Sequence, residues 1–63
     1  MCLSTAYYNS KSDDQIAARY VDKIKVDGNT VVLTDVMGME LKVPGTLSYV
    51  DLTGGIVVID TEG

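Results

Sequence analysis

Apolar and polar residues alternate in short segments along the 63-residue chain, and turn-forming residues separate one segment from the next. An alternation of period two is typical of β-strands with one buried face. Residues 2–8, 19–26 and 39–43 fit this pattern, and the β-branched or apolar segments 30–34, 46–52 and 56–59 also suit strands. Turn signals that recur about every ten residues indicate a small barrel or sandwich. We therefore predict a single all-β domain over residues 1–63, a barrel of five or six short strands.

Strict alternation also assigns the side chains of residues 19–26 to two faces. One face carries Tyr20, Ile24 and Val26 together with Asp22. The other face carries the basic residues Arg19, Lys23 and Lys25 together with Val21.

Residues 12–24 also fit a helix. The sequence Ser-Asp-Asp-Gln at 12–15 has the form of a helix capping box, and Ile16, Tyr20 and Ile24 follow at a spacing of four. Local signals therefore support a helix over residues 13–24 about as well as a strand. The β-branched residues after Val21 and the turn sequence Asp-Gly-Asn at 27–29 favour a strand from Arg19.

The size of the chain and its cysteine content favour self-association. A domain of about 60 residues buries only about 60% of the surface that its unfolded chain exposes. The chain has one cysteine, Cys2, and no histidine, so a single chain offers neither an internal disulfide nor a four-ligand zinc site. Association of identical chains is the commonest remaining way to enlarge such a core, and we predict a homodimer.

The same features predict a cytoplasmic protein. A free thiol suits a reducing compartment. The first residues lack the basic start and apolar stretch of a signal peptide, and no segment has the roughly 18 apolar residues needed to cross a bilayer.

The charge balance works against nucleic-acid binding. Nine acidic residues against five basic ones leave a net charge of −4, whereas binding of a polyanion depends on cationic side chains. A basic stripe formed by Arg19, Lys23 and Lys25 nevertheless leaves open a small RNA-binding or protein-interaction module, with Cys2 purely structural. No arrangement of residues predicts catalysis, so we do not expect an enzyme.

The first two residues carry the most suggestive chemistry. If Met1 is removed, Cys2 presents an α-amine and a thiolate that close a five-membered chelate ring on a metal ion, and the backbone amide of Leu3 adds a third donor. Amine, amide and thiolate donors favour square-planar Ni(II) or Cu(II). Two chains that meet at their N-termini would supply two sulfurs and two nitrogens to one ion.

Several sequence features together resemble the CooT family. They are the opening MCLS at 1–4, the central VDGNTVVLTD at 26–35, the Pro-Gly turn at 44–45, and VDL at 50–52 followed by IVVI at 56–59. The family is associated with nickel delivery to carbon monoxide dehydrogenase, and its members are also labelled predicted RNA-binding proteins. The resemblance implies a metallochaperone-like homodimer of small SH3-like barrels that binds one Ni(II) per dimer through Cys2.

Overall fold

The computed structural model describes residues 3–10 and 12–61, with only the backbone of Asp13. Within them, six strands and one turn of 3-10 helix (Asp13–Gln15) follow one another, and there is no α-helix. The strands are β1 (Ser4–Tyr8), β2 (Ile16–Asp27), β3 (Thr30–Asp35), β4 (Glu40–Pro44), β5 (Thr46–Asp51) and β6 (Ile56–Asp60). The prediction of an all-β fold with up to six strands is confirmed.

The six strands form one mixed sheet in the order β4-β3-β2-β1-β6-β5. Neighbouring strands are antiparallel except for β1 and β6, which are parallel, so the first and last strands pair inside the sheet. The edge strands β4 and β5 do not pair with each other in the described residues. The sheet is therefore open, and the predicted closed barrel is not confirmed, although Gly45 alone separates the two edge strands along the chain.

The 12-residue strand β2 joins the two halves of the sheet. Its first half pairs with β1 and its second half with β3, and Val21 pairs with both Ser4 and Asp35. The register with each partner shifts around Val21, as it does at a β-bulge, which bends a strand and adds a residue to one side.

These irregularities correct the predicted faces of residues 19–26. Val21 is 3% exposed and belongs to the core, and Ile24 packs against the same core. Strict alternation had placed them on opposite faces. The register shift between Val21 and Lys23 inserts one residue, so that positions three apart point to the same side.

The helix considered for residues 13–24 is wrong beyond its first turn. The 3-10 helix ends at Gln15 and β2 begins at Ile16, three residues before the predicted start at Arg19. The side chain of Ser12 makes no capping bond to the backbone. Its hydroxyl donates instead to the carboxylate of Asp14, so the capping box does not form.

One face of the sheet holds the core, which consists mainly of β-branched side chains. The strands predicted at residues 30–34 and 56–59 are found as β3 and β6, and each contributes two alternate residues to this cluster. The buried cluster comprises Ala6, Val21, Val31, Leu33, Val43, Val57 and Ile59, with Tyr8, Ala17, Ala18 and Ile24 packed against it.

The predicted turn at 27–29 is confirmed. Asp27 pairs with Thr30, so the loop between β2 and β3 is Gly28-Asn29, and Gly28 has a φ of 60°. A glycine at the first central position of a two-residue hairpin loop adopts such a φ without steric cost.

Candidate functional site

The proposed metal ligand, Cys2, lies outside the described residues, and the structure locates its neighbour Leu3. Leu3 directly precedes Ser4, the first residue of β1. Its side chain is 40% exposed. Its carbonyl oxygen lies against Gly55, at the turn between β5 and β6, where a Cβ would stand 3.1 Å from it. The chain therefore enters the fold at the edge of this turn, beside the start of β1.

Large apolar side chains are exposed around the row in which Ser4, Val21 and Asp35 pair across β1, β2 and β3. We call this group the apolar margin; it consists of Leu3, Tyr20, Val36, Met37 and Met39. Leu3, Tyr20 and Val36 are chain neighbours of the three paired residues. Since adjacent strands lie about 4.8 Å apart, Ser4 and Asp35 are separated by about 10 Å.

Hydrogen bonds hold the β3–β4 side of the apolar margin in place. The amide of Val36 donates to the carbonyl of Tyr20 at 3.1 Å. The carboxylate of Asp35 accepts the amides of Met37 at 2.8 Å and Met39 at 3.0 Å. Met37 is 83% exposed and Met39 is 68% exposed, so the turn presents both thioethers to solvent.

The described residues by themselves do not form a metal centre. Among residues 3–10 and 12–61, no three acidic or cysteine side chains lie close enough together to hold an ion. The amide of Leu3 is the single proposed donor that falls within the described chain. Cys2 and the terminal amine, the other proposed donors, lie outside these residues.

Two of the three predicted basic residues share the face of the sheet away from the core. Lys25 pairs with Val32, which pairs with Lys42, and Lys23 lies two residues from Lys25. Arg19 precedes these lysines in the stretch of β2 between Ala18 and Val21, where the register with β1 shifts.

Lys42 is the basic residue of this face that sequence reasoning missed. It lies on β4, and its place beside Val32 depends on the β3–β4 register. The face also carries acids: Glu40 pairs with Thr34, and Asp22 approaches Lys23 at 3.9 Å. The mixture of signs lowers the positive potential that a polyanion requires. As for membrane association, no helix in the described chain is long and apolar enough to span a bilayer.

Comparisons with known proteins identify the family. The family model described as the CO dehydrogenase accessory protein CooT matches residues 1–60. The fold is similar to the crystal structure of a CooT protein from Carboxydothermus hydrogenoformans, with a TM-score of 0.82 and 14% sequence identity over 98% of this chain and 100% of that chain. No curated protein matches significantly. The chain therefore belongs to the CooT family, whose members are accessory proteins of CO dehydrogenase and not enzymes themselves.

Proposed function

We propose that this protein binds Ni(II) as cargo through Cys2 and delivers it to a nickel enzyme such as carbon monoxide dehydrogenase. The match of residues 1–60 to a family of CO dehydrogenase accessory proteins carries this proposal. The Cys2 thiolate, the terminal amine left by removal of Met1 and the Leu3 amide are donors that favour square-planar Ni(II).

A homodimer is the second part of the proposal. The chain has a single cysteine, so two thiolates at one ion require two chains, with one Ni(II) per dimer. The apolar margin supports association close to this site because Leu3 belongs to it and Met37 is 83% exposed. Exposed apolar side chains grouped in one region are typical of protein interfaces.

The proposal also includes an SH3-like barrel fold and a cytoplasmic location. The register shifts of β2 on both sides of Val21, of a kind that bends strands, and the single-residue link through Gly45 between the edge strands support a barrel-like closure. A free thiolate that binds and releases nickel requires a reducing compartment, which supports the cytoplasm.

A Ni(II) titration of untagged protein tests the metal site. Intact mass first establishes whether Met1 is removed. We expect one nickel per two chains in native mass spectrometry, with thiolate-to-nickel absorbance bands that disappear in Cys2→Ser. In the matched control, Cys2→Ser combined with Ser10→Cys keeps one thiol on an exposed residue but removes it from the terminal amine, and it should not restore the bands. Binding that is unchanged in Cys2→Ser would overturn the proposal and favour an interaction module with a structural cysteine.

Sedimentation equilibrium of two matched variants tests the dimer surface. Met37→Glu places a charge in the apolar margin and should shift the protein toward monomer. Val26→Glu places the same charge on a residue that is 56% exposed but lies outside the margin, and it should leave association unchanged. Equal association in both variants, with unchanged far-UV circular dichroism, would exclude this surface as the dimer interface.

A further inference from the structure

A cavity of about 320 Å³ lies at the corner where the chain passes from β4 to β5. Its volume falls at the lower end of the range of small-molecule sites. We call it the corner cavity; it is lined by Asn29, Pro44, Gly45, Thr46, Asp60 and Thr61. These residues come from the β2–β3 turn, the β4–β5 link and the end of β6.

Short-range contacts hold the walls of the corner cavity together. The amide of Gly45 donates to the carbonyl of Asn29 at 2.6 Å. Gly45 also lies so close to the carbonyl of Asp60 that a Cβ there would collide with it. On the other side, the Asn9 side chain donates to the Thr61 hydroxyl at 3.0 Å and accepts the Thr61 amide at 2.8 Å. The cavity therefore exists before any ligand binds.

The chemistry of the lining favours a cation. Asp60 carries the one charged side chain among the lining residues, and it forms no ion pair within the described chain. Thr46 pairs directly with Asp60, so its hydroxyl and the carboxylate project from the same face of the sheet. Asn29 and Pro44, one polar and one apolar residue, also line the cavity. No lining residue offers a positive charge to an anion.

We propose that the corner cavity binds a guanidinium or ammonium group. The Asp60 carboxylate is the counter-ion, the oxygens of Thr46 and Asn29 accept further N–H groups, and Pro44 contacts the methylene stem. The same chemistry is found in an arginine or lysine side chain of a partner protein and in a free polyamine. The site is independent of nickel, because Thr61 is bonded to Asn9 at the far end of β1, about 20 Å from Leu3.

Amide chemical shifts of isotope-labelled protein test the proposal. The probe is N-acetyl-arginine amide, which carries one positive charge, and its neutral analogue N-acetyl-citrulline amide is the ligand control. We expect saturable shifts at Gly45, Thr46 and Thr61 with the arginine probe alone. Asp60→Asn should bind about tenfold more weakly, because hydrogen bonds to an ionised group are the strong ones.

A matched variant separates this site from general charge effects. Asp22→Asn removes the same charge from an exposed residue of β2 and should bind the arginine probe as the parent does. A parallel titration with spermidine distinguishes a free polyamine from a side chain. Three results would overturn the proposal. The first is a set of shifts that does not saturate with the arginine probe, and the second is an equal response to the citrulline analogue. The third is a loss of affinity in Asp22→Asn as large as that in Asp60→Asn.

Discussion

Asn9 and Thr61, 52 residues apart in sequence, are joined by two hydrogen bonds at the ends of the parallel strands β1 and β6. Asn9 has a φ of 64°, a conformation that asparagine adopts more readily than most residues. A single side chain thus ties the last described residue of the chain to the first strand.

Loss of this link should destabilise the fold. We expect Asn9→Ala to lower the free energy of unfolding by about 1–3 kcal/mol, since it removes two hydrogen bonds and places alanine at a positive φ. Urea denaturation measures the change. Asn9→Gly loses the same hydrogen bonds but tolerates the positive φ, so its free energy of unfolding should lie between those of the parent and Asn9→Ala. Equal stability of all three proteins would contradict the role assigned to Asn9.

The close approach of Gly45 to Asp60 predicts a large effect of one methyl group. Gly45→Ala combines a φ of 150° with a collision against the Asp60 carbonyl, whereas Gly38→Ala has a φ of 86° and no atom within 4 Å. We expect Gly38→Ala to cost about 1–2 kcal/mol from its backbone conformation alone and Gly45→Ala to cost more. Thermal unfolding of the two variants side by side checks this order of stabilities. A smaller loss of stability in Gly45→Ala than in Gly38→Ala would show that Gly45 is not tightly packed against Asp60.

Tyr20 is strained in the bulged part of β2. Its φ is 59°, unusual for a bulky residue, and its side chain is 62% exposed, so little packing is lost when it is truncated. Tyr20→Gly should therefore be more stable than Tyr20→Ala by about 1 kcal/mol, because glycine adopts this φ without strain. Chemical denaturation gives the difference. If alanine is the more stable of the two, the backbone at residue 20 is not left-handed in solution.

The hydroxyl of Ser12 lowers the pKa of the Asp14 carboxyl below its usual value of 3.8, with a smaller contribution from the backbone amide of Asp14. A lowered folded-state pKa stabilises the fold above the unfolded-state value, and this stabilisation is lost as the pH falls through the folded-state pKa. We expect Ser12→Ala to raise the pKa of Asp14 toward the usual value, as followed by the carboxyl carbon shift between pH 2 and pH 6. An unchanged titration of Asp14 would show that the bond does not persist in solution.

Much of this protein follows from short-range sequence patterns. The β-branched run at 30–34 predicts the strand β3, and the Asp-Gly-Asn sequence at 27–29 marks the β2–β3 turn. Both depend on residues adjacent in the chain, where side-chain periodicity and glycine conformation act locally. The unusual start of the chain at Cys2 likewise suggested the family, which the match over residues 1–60 confirms.

The features that the sequence did not predict depend on strands that are distant in sequence. The register shifts around Val21 brought Val21 and Ile24 to one side, and the pairing of β3 with β4 placed Lys42 beside Val32. The corner cavity arises because Asn29, Gly45 and Asp60 meet only when β2, β4 and β6 converge. The sequence by itself determined most of the strands and turns, because those preferences are local, but local signals did not decide between helix and strand for residues 13–24. Tertiary structure decided the register, the bulges and the cavity, because they result from contacts among strands that no local pattern encodes.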